Sequence, residues 1–218
     1  MYDMSKAPLS RDRVLRAALA VADDGGLDGL TIRSLAQRLE TKPMSLYHYV
    51  ANKDEILDGL VDLVFAEIEL PEPSGRWREE MARRARSARA VLGRHRWSIG
   101  LLESRTTPGP ATLRHHDATL AALRAGGFSI VQTGHAYAVL DAFTYGFAVQ
   151  EASLPFEGPD SAAAVAGPIM ALMEGGQYPH LVEFAVEHAM RPGYDFGAEF
   201  EVGLELVLDG LARMLHGA

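Results

Sequence analysis

The chain has 218 residues, of which 48% are hydrophobic and 23% are charged, and its formal net charge at pH 7 is −8. This balance is typical of a soluble globular protein that buries a real core, and it excludes fibrous and disordered classes. Because the chain contains no cysteine, disulfides, thiolate zinc sites, iron–sulfur clusters and a cysteine nucleophile are excluded.

The sequence has no apolar run that approaches the roughly 18 residues needed to span a bilayer. Its longest uncharged stretches include 99–102 and 136–140. The segment 1–10 is polar, contains a proline and lacks the apolar centre of a signal peptide. We therefore expect a cytoplasmic protein with no membrane partner.

Charge is unevenly distributed along the chain. Between Thr31 and Lys53 there are four basic residues and one acidic residue, which gives 4 − 1 = +3, whereas the chain as a whole is acidic. A locally basic head on an acidic body suits a protein that binds one DNA site and is repelled by other DNA. A segment this short also reaches +3 by chance, so the charge alone decides little.

The first sixty residues predict four helices. Ser10 is a good N-cap, and the apolar residues after it recur at helical spacing until Gly25-Gly26. Thr31 caps a second helix, and a third begins at Pro43 and ends near Tyr49. Asn52 and Glu55 resemble a capping box that opens a fourth helix. Two short helices joined by a tight turn, with a helix on either side, form a helix-turn-helix unit.

Three runs in this segment resemble the DNA-binding head of the tetracycline-repressor (TetR) family of bacterial regulators. They are Leu30-Thr-Ile-Arg-Ser-Leu-Ala-Gln-Arg-Leu39, Ser45-Leu-Tyr-His-Tyr-Val50 and Asn52-Lys-Asp-Glu-Ile-Leu57. The resemblance implies an all-α fold. It places a helix-turn-helix domain at 1–58 and a larger helical domain for ligand binding and dimerisation at 59–218.

The resemblance also implies roles for individual residues of the head. Four apolar residues form its core: Leu35, Ala36, Leu39 and Leu46. Nine residues are expected at the DNA interface: Thr31, Tyr47 and Lys53 on phosphates, and Arg33, Lys42, Met44, Ser45 and His48 on the major groove, with Pro43 opening the helix that carries them. For single residues the alternatives are ordinary: a solvated charge at Arg33 or Lys42, a packing role for Tyr47, and an idle surface histidine at His48.

One position departs from the family pattern. Members commonly have Gly-Val in the turn, where glycine adopts a positive φ without strain, but this chain has Glu40-Thr41. We expect a strained or altered turn, with a carboxylate placed unfavourably near phosphates.

Beyond about residue 68 the pattern predicts a linker at 71–75 and further helices. Their expected bounds begin at Trp77 and then cover 95–103, 111–125, 129–154, 162–173, 178–190 and 196–216. The many arginines of the helix from Trp77 read as a solvated face. No alternating strand pattern is present. Two segments, 125–129 with 143–146 and 200–211, also resemble the TetR family, in the branch with a tetracycline-repressor-like C-terminal body.

Two helices carry stripes of small or flexible residues at a spacing of three or four. The stripes are Gly134, Ala138, Ala142 and Gly146 on one helix, and Gly203, Leu206, Gly210 and Met214 on the last. Small residues let a second helix approach closely. The family resemblance implies that these two helices pair with their twins in a homodimer, and the alternative is packing within one subunit.

Asp141 lies between Tyr137 and Tyr145 on one line of an otherwise apolar helix. One interpretation is that it faces an inducer cavity, since a buried carboxylate needs a partner. The residues of that candidate cavity are Trp97, Leu102, Arg105, His116, Tyr137, Asp141, Met170 and Met173. The alternatives are a solvated carboxylate or an internal pair with Arg105, and plain core positions for Trp97 and the methionines.

We expect no cofactor and no metal. In the family branch that binds tetracycline as a magnesium chelate, a pocket histidine and a carboxylate are replaced here by Leu102 and Gln150. His115 and His116 are adjacent on a helix and point about 100° apart, which disfavours a joint metal site.

The sequence therefore predicts a ligand-responsive transcriptional regulator, in the role of a repressor. As the family implies, a homodimer binds a palindromic operator in double-stranded DNA and a small-molecule inducer releases it. The first alternative is a small helical binding protein or enzyme that uses the body cavity. It is disfavoured because the chain has no phosphate-binding glycine loop, no His-Glu-x-x-His and no nucleophile elbow. A constitutive architectural DNA-binding protein is disfavoured because a head alone would suffice.

Overall fold

The computed structural model describes residues 8–102, 104–155, 170, 172–173 and 176–217. In these residues the regular secondary structure is helical and no strand occurs. The all-α prediction is confirmed. None of the helices in this part of the chain combines the length and hydropathy that crossing a membrane requires.

Four helices form the N-terminal head: α1 (Arg11–Gly29), α2 (Ile32–Arg38), α3 (Pro43–Leu46) and α4 (Lys53–Glu67). Their starts are those that the sequence predicts. The side chains of Ser10, Thr31 and Asn52 each accept a backbone N–H at the first turn of α1, α2 and α4 respectively. Pro43 occupies the first turn of α3, where a missing N–H leaves no bond unmade.

The core of the head is built from the apolar faces of these helices. Leu35, Ala36, Leu39 and Leu46 are buried, as predicted. They pack in one cluster with residues of α1, such as Val14 and Ala18, and of α4, such as Leu60. This packing holds α2 and α3 by their inner faces and leaves their outer faces exposed.

The helices that follow are α5 (Trp77–Arg94), α6 (Pro110–Ala125), α7 (Ile130–Ser153), α8 (Pro179–Phe184) and α9 (Glu199–His216). Short 3₁₀ turns occupy Arg96–Ser98 and Phe196–Ala198. The predicted helix at 162–173 lies largely outside the described residues.

The prediction of a helix at 95–103 is wrong over the described residues 95–102. The segment contains Gly100, a poor helix former, and it continues from the 3₁₀ turn through successive turns, the first closed by Leu101 N–H donating to the Ser98 carbonyl at 2.8 Å. The predicted helix at 178–190 is also altered, since α8 gives way to a π-helical turn at Ala185–Ala189.

The chain divides into two compact units, 1–144 and 145–218. The first contains the head and the packed helices α5 and α6. In the second, the apolar face of α9 is buried, and the ring of Phe147 lies 4.9 Å from that of Phe196 and 5.2 Å from that of Phe200. The expected domain boundary after residue 58 stays a prediction.

Candidate nucleic-acid interface and buried polar network

The residues expected at DNA lie on the outer face of the helix-turn-helix and at the start of α4. Ser45 is half-buried, and the other eight are exposed: Thr31, Arg33, Lys42, Pro43, Met44, Tyr47, His48 and Lys53. Met44 is the most informative, because this large apolar residue is 72% exposed. A large apolar side chain held in water at such a place suits a surface that is covered on binding.

The cations of this face differ from those of the rest of the head. Arg38 is paired with Asp24 at 2.6 Å, Arg16 with Asp12 at 2.8 Å and Arg11 with Glu55 at 3.2 Å. Arg33, Lys42 and Lys53 have no carboxylate partner among the described residues. The unpaired cations of the helix-turn-helix segment are therefore the ones expected to contact DNA.

Thr31 is engaged at the start of α2. Its Oγ1 accepts the N–H of Ser34 at 3.0 Å, and the Ser34 hydroxyl lies 3.0 Å from the Thr31 N–H in return. This reciprocal cap fixes the first turn of α2. The predicted capping role is confirmed, and the phosphate contact of Thr31 stays a prediction.

Glu40 takes the strained conformation that the sequence predicts for the turn. Its φ is +50°, the one positive φ of a non-glycine residue in the described chain. The N–H of Thr41 bonds to the Ala36 carbonyl and that of Glu40 to the Gln37 carbonyl. This is a Schellman termination of α2, whose left-handed position usually holds glycine. The hydrogen bonds of the turn therefore hold Glu40 in a conformation that costs an L-residue energy.

A buried polar network joins α5, α6 and α7 in the first unit. Arg84 Nε donates to His115 Nε2 at 3.0 Å, and Arg84 Nη2 donates to Asp141 Oδ1 at 2.6 Å. The exposed fractions of Arg84, His115 and Asp141 are 1%, 0% and 7%. We call these three residues the polar network.

Burial and the nearby Arg84 and His116 lower the pKa of His115 to about 3. The imidazole is therefore neutral at physiological pH. Because its Nε2 accepts from Arg84, its proton is on Nδ1. That Nδ1–H, Asp141 Oδ2 and Thr144 Oγ1 are buried without a hydrogen-bond partner among the described residues.

Aromatic side chains lie beside the polar network. The Phe65 ring centroid is 5.2 Å from that of His115 and 5.4 Å from that of His116. The hydroxyl of Tyr137 lies 2.5 Å from His116 Nδ1. The structure thus brings three predicted ligand residues, His116, Tyr137 and Asp141, to one region of α6 and α7.

Other predicted ligand residues have different neighbours. Trp97 Nε1 donates to Asp23 of α1 at 2.7 Å, and its ring packs against the core of the head. Arg105 is bound to Asp58 and Asp54 of α4 at 2.6 and 3.2 Å. Leu102 is buried, and the second unit contains Met170, which is half-buried, and Met173, which is buried.

Both alternatives for Asp141 are wrong, since this carboxylate is neither solvated nor paired with Arg105. Its partner, Arg84, belongs to the helix whose arginines were expected to be solvated. Arg84 lies three residues after Met81 and four before Ala88, two buried apolar positions. That spacing on the apolar face of α5 is the signal that sequence reasoning missed.

The stripe of small residues on α7 faces away from the packed interior. Gly134, Ala138, Ala142 and Gly146 are all exposed. A Cβ added at Gly134 or Gly146 would meet no atom within 4 Å. On α9 Leu206 is exposed, and Gly203, Gly210 and Met214 are half-buried.

Comparison with known proteins extends over nearly the whole chain. Residues 14–60 match the family model for bacterial regulatory proteins of the tetR family, and residues 70–215 match that for the tetracyclin repressor-like C-terminal domain. The HTH-type transcriptional repressor DrrR1 of Streptomyces coeruleorubidus is 32% identical over 94% of this chain and 78% of its own length. The class A tetracycline repressor of Escherichia coli, from transposon 1721, is 32% identical over 94% and 91% respectively.

A solved structure has the same architecture. The TetR family protein ActR of Streptomyces coelicolor, in complex with actinorhodin, superposes with a TM-score of 0.79 at 33% identity. The match covers 96% of this chain and 99% of that one.

Proposed function

Because this chain belongs to the TetR family of transcription regulators, we propose that it is a ligand-responsive repressor. A homodimer binds a palindromic operator in double-stranded DNA, and a small-molecule inducer releases it. The observation that carries the proposal is the exposed face of the helix-turn-helix, where Arg33, Lys42 and Lys53 lack carboxylate partners in the described chain and Met44 stands in water.

The contacts to DNA follow from the chemistry of that face. Arg33 and Lys42 donate to guanine, and Met44 meets a thymine methyl in the major groove. Tyr47 and Lys53 bind phosphates on either side, and Thr31 donates to a third. Ser45 and His48 complete the contact surface. Lys53 opens α4, so the positive end of that helix adds to its attraction for phosphate.

Dimerisation supplies the second half of the operator. The exposed stripe of small residues on α7 lets the backbone of a second helix come close to that of α7. In a single subunit this stripe is exposed to solvent. Two heads held about 34 Å apart read two half-sites one helical turn apart, which makes the operator palindromic.

The inducer binds among the residues of α5, α6 and α7. The relatives include a protein whose structure holds actinorhodin, and this chain carries an aromatic and polar region of its own at Phe65, His116, Tyr137 and the polar network. Of the remaining candidate residues, Leu102 supplies apolar wall, whereas the hydrogen bonds of Trp97 and Arg105 favour a structural link to the head. Met170 and Met173 belong to the second unit and are not assigned to this region.

The link between ligand and DNA runs through α4 and α6. Asp62 of α4 accepts from Thr112 at the start of α6, and Asp58 of α4 accepts from Arg105 just before it. Because α6 carries His115 and His116, a ligand that prefers another position of α6 also shifts α4 and the head. At saturating ligand, the equilibrium constant between the DNA-binding arrangement and the alternative one shifts by the ratio of the ligand's affinities for these two arrangements.

The first test is fluorescence anisotropy with DNA from immediately upstream of the chain's own coding region, over a salt series and against unrelated DNA. We expect site-selective binding with a salt slope that reports several phosphate contacts. Tyr47→Ala and Lys53→Ala should each weaken binding to specific and unrelated DNA alike, and Lys53→Ala should reduce the slope by about one.

Arg114→Ala is the matched control, because Arg114 is an exposed cation on α6, outside the helix-turn-helix. It should leave binding unchanged. If selective binding is found neither with the upstream DNA nor in a selection over genomic fragments, the repressor proposal is wrong. The alternative is then a small-molecule binding protein that does not regulate through DNA.

A further inference from the structure

His95 lies between two helices of the head at the C-terminal end of α5. It is the C-cap of that helix and is 5% exposed. Its Nδ1 lies 2.7 Å from Oδ1 of Asp23, in α1, and its Nε2 lies 3.3 Å from Oε1 of Glu67, the last residue of α4. Nε2 has no hydrogen bond elsewhere in the described chain. Both nitrogens of one buried ring therefore face carboxylate oxygens, which accept hydrogen bonds and do not donate them.

A neutral imidazole does not satisfy this arrangement. It carries one N–H, so whichever nitrogen is protonated, the lone pair of the other faces a carboxylate oxygen. An imidazolium presents an N–H to each carboxylate and places a positive charge between two negative ones. The end of α5 favours the same charge, because the helix dipole is negative there. The geometry at His95 thus fits the protonated ring.

Neighbouring side chains hold both carboxylates in place. Trp97 Nε1 donates to the same oxygen of Asp23 at 2.7 Å, and Arg94 Nη2 donates to Oε2 of Glu67 at 2.7 Å. Burial alone would raise the pKa of Glu67, but hydrogen bonds from Arg94 and His95 lower it. Glu67 is therefore ionised at neutral pH and attracts a charged ring.

The imidazole is the group at this junction that responds to mild changes of pH. The charged residues around it are Asp23 of α1, Glu67 of α4, Arg94 of α5 and Arg96 of the 3₁₀ turn that follows. Carboxylates and guanidinium groups keep their charges between about pH 5 and pH 8, whereas a histidine ring changes its charge in that range. As the pH rises, loss of the proton removes the attraction that holds α1 and α4 on α5.

The helices held by His95 carry the DNA-binding helices. Residues of α1, α2 and α4 share one apolar cluster, against which the ring of Trp97 also packs. Asp24, next to Asp23, pairs with Arg38, the last residue of α2, at 2.6 Å. A head that moves freely on the body loses that freedom when it binds DNA, so a junction that fixes the head lowers the entropic cost of binding.

We propose that His95 is a positioning residue for DNA binding: its protonated ring holds the head on α5, and loss of the proton loosens the head and weakens operator binding. This inference rests on the proposed function, in which the head binds an operator. It adds a dependence on pH that arises away from the DNA contacts.

The first experiment follows the imidazole nitrogen chemical shifts of the full chain without DNA. The signals of His95 are assigned by their absence from His95→Gln. We expect both nitrogens to be protonated at about pH 5 and one at about pH 8. In Asp23→Asn the ring should hold its proton about tenfold more weakly, since one opposite charge is lost. A ring that keeps one protonation state over this range, or an unchanged titration in Asp23→Asn, overturns the inference.

Hydrogen exchange shows whether the proton positions the head. At about pH 5, amides in the second half of α1 and the last turn of α4 should exchange more slowly in the unmodified protein than in His95→Gln at the same pH. The difference should disappear at about pH 8, where both side chains are neutral. A merely structural role of the ring would give the same difference at both pH values and would contradict the inference.

Fluorescence anisotropy with operator DNA, at constant ionic strength, measures the effect on binding. Between about pH 5 and pH 8 we expect affinity to fall about fivefold more in the unmodified protein than in His95→Gln. This comparison removes the contribution of other histidines, such as His48 on the DNA-binding face. His180→Gln, at an exposed histidine of α8 that lies 3.6 Å from Glu183, is the matched control and should behave as the unmodified protein does.

Identical pH profiles of operator binding in His95→Gln and the unmodified protein overturn the inference, as does a larger rise of affinity with pH in the unmodified protein. The two proposals fail separately. If DNA is bound but the ring does not titrate, only this inference is wrong. If no DNA is bound at any pH, the proposed function is wrong, and the chemical shifts and hydrogen exchange still decide whether His95 holds the head.

Discussion

Asp62 of α4 caps the amino end of α6. Its Oδ1 accepts both the backbone N–H of Thr112, at 2.8 Å, and the Thr112 hydroxyl, at 3.0 Å. The residue at the N-cap of α6 itself is Gly109, which has no side chain to do so. A Cβ at Gly109 would lie 2.3 Å from the Asp62 carboxyl carbon, so glycine leaves room for the cap to come from another helix.

Replacing this cap should lower the stability of the protein and change the coupling between inducer binding and DNA release. We expect Asp62→Ala to lower the free energy of unfolding by about 1–2 kcal/mol, measured by urea denaturation, since an N–H at a helix start loses its partner. Asp62→Asn, which keeps an acceptor oxygen, should lose less. The inducer concentration needed to release DNA should also shift in the alanine variant. If Asp62→Ala behaves like the exposed control Asp117→Ala, the cap has no such role.

The strained turn offers a stabilising substitution. Glu40→Gly should raise the free energy of unfolding by about 1 kcal/mol, because glycine adopts a φ near +50° without the penalty of a side chain. It should also tighten DNA binding by removing a negative charge from the interface. Glu40→Gln separates the two effects, since it removes the charge and keeps the strain. Equal stability of Glu40→Gly and the unmodified protein would contradict the strain.

The buried ion pair should be intolerant of single replacements. Arg84→Met leaves the Asp141 carboxylate buried without a cation, and we expect a loss of about 3–5 kcal/mol in urea unfolding. Adding Asp141→Leu removes the stranded carboxylate and should restore most of that stability. A loss below about 1 kcal/mol in the single variant would mean that water reaches the carboxylate.

The lowered pKa of His115 predicts a pH dependence of stability. Its folded pKa of about 3 lies below its ordinary value of 6.5, so between these two values the unfolded state binds a proton that the folded state excludes. Stability from this residue is full above pH 6.5 and is lost as the pH falls towards 3, at up to about 1.4 kcal/mol per pH unit. Unfolding of His115→Gln should depend less steeply on pH in that window. Parallel curves for the two proteins would show that His115 titrates normally.

The α7 stripe predicts a variant that cannot dimerise. Ala138→Arg places a long cation where a second helix would lie, so sedimentation should show a monomer with unchanged helical content, and operator binding should weaken. Leu113→Arg is the control, because Leu113 is an exposed apolar residue on α6. A dimer that persists in Ala138→Arg would place the interface elsewhere.

Local chemistry made most of the head predictable. Ser10, Thr31 and Pro43 mark helix starts through contacts or backbone restrictions within a few residues. Glu40 stands where the family commonly has glycine, and this departure predicted the strained turn. The residues expected on the exposed face were assigned by the resemblance to the TetR family, not by periodicity.

The polar network was not predictable in this way. The hydrogen-bond partners of Arg84, His115 and Asp141, lie 31 and 57 residues away in the sequence. The residues near Arg84 in the sequence do not indicate that a carboxylate will pair with its charge. Its partner Asp141 was recognised as unusual, but the sequence offered Arg105 as an equally good cation. The links of Trp97 and Arg105 to α1 and α4 likewise depend on distant packing.

Because the cap of α6 comes from Asp62 of α4, it also has a consequence during protein synthesis. The Asp62 carboxylate leaves the ribosome 50 residues before Thr112, and α5 is made in between. The hydrogen bond therefore closes a long loop. The entropy lost on closing this loop is offset only by the contacts that α5 makes when it packs against its neighbours. We therefore expect the first turn of α6 in a nascent chain to form only after α6 has docked on α4.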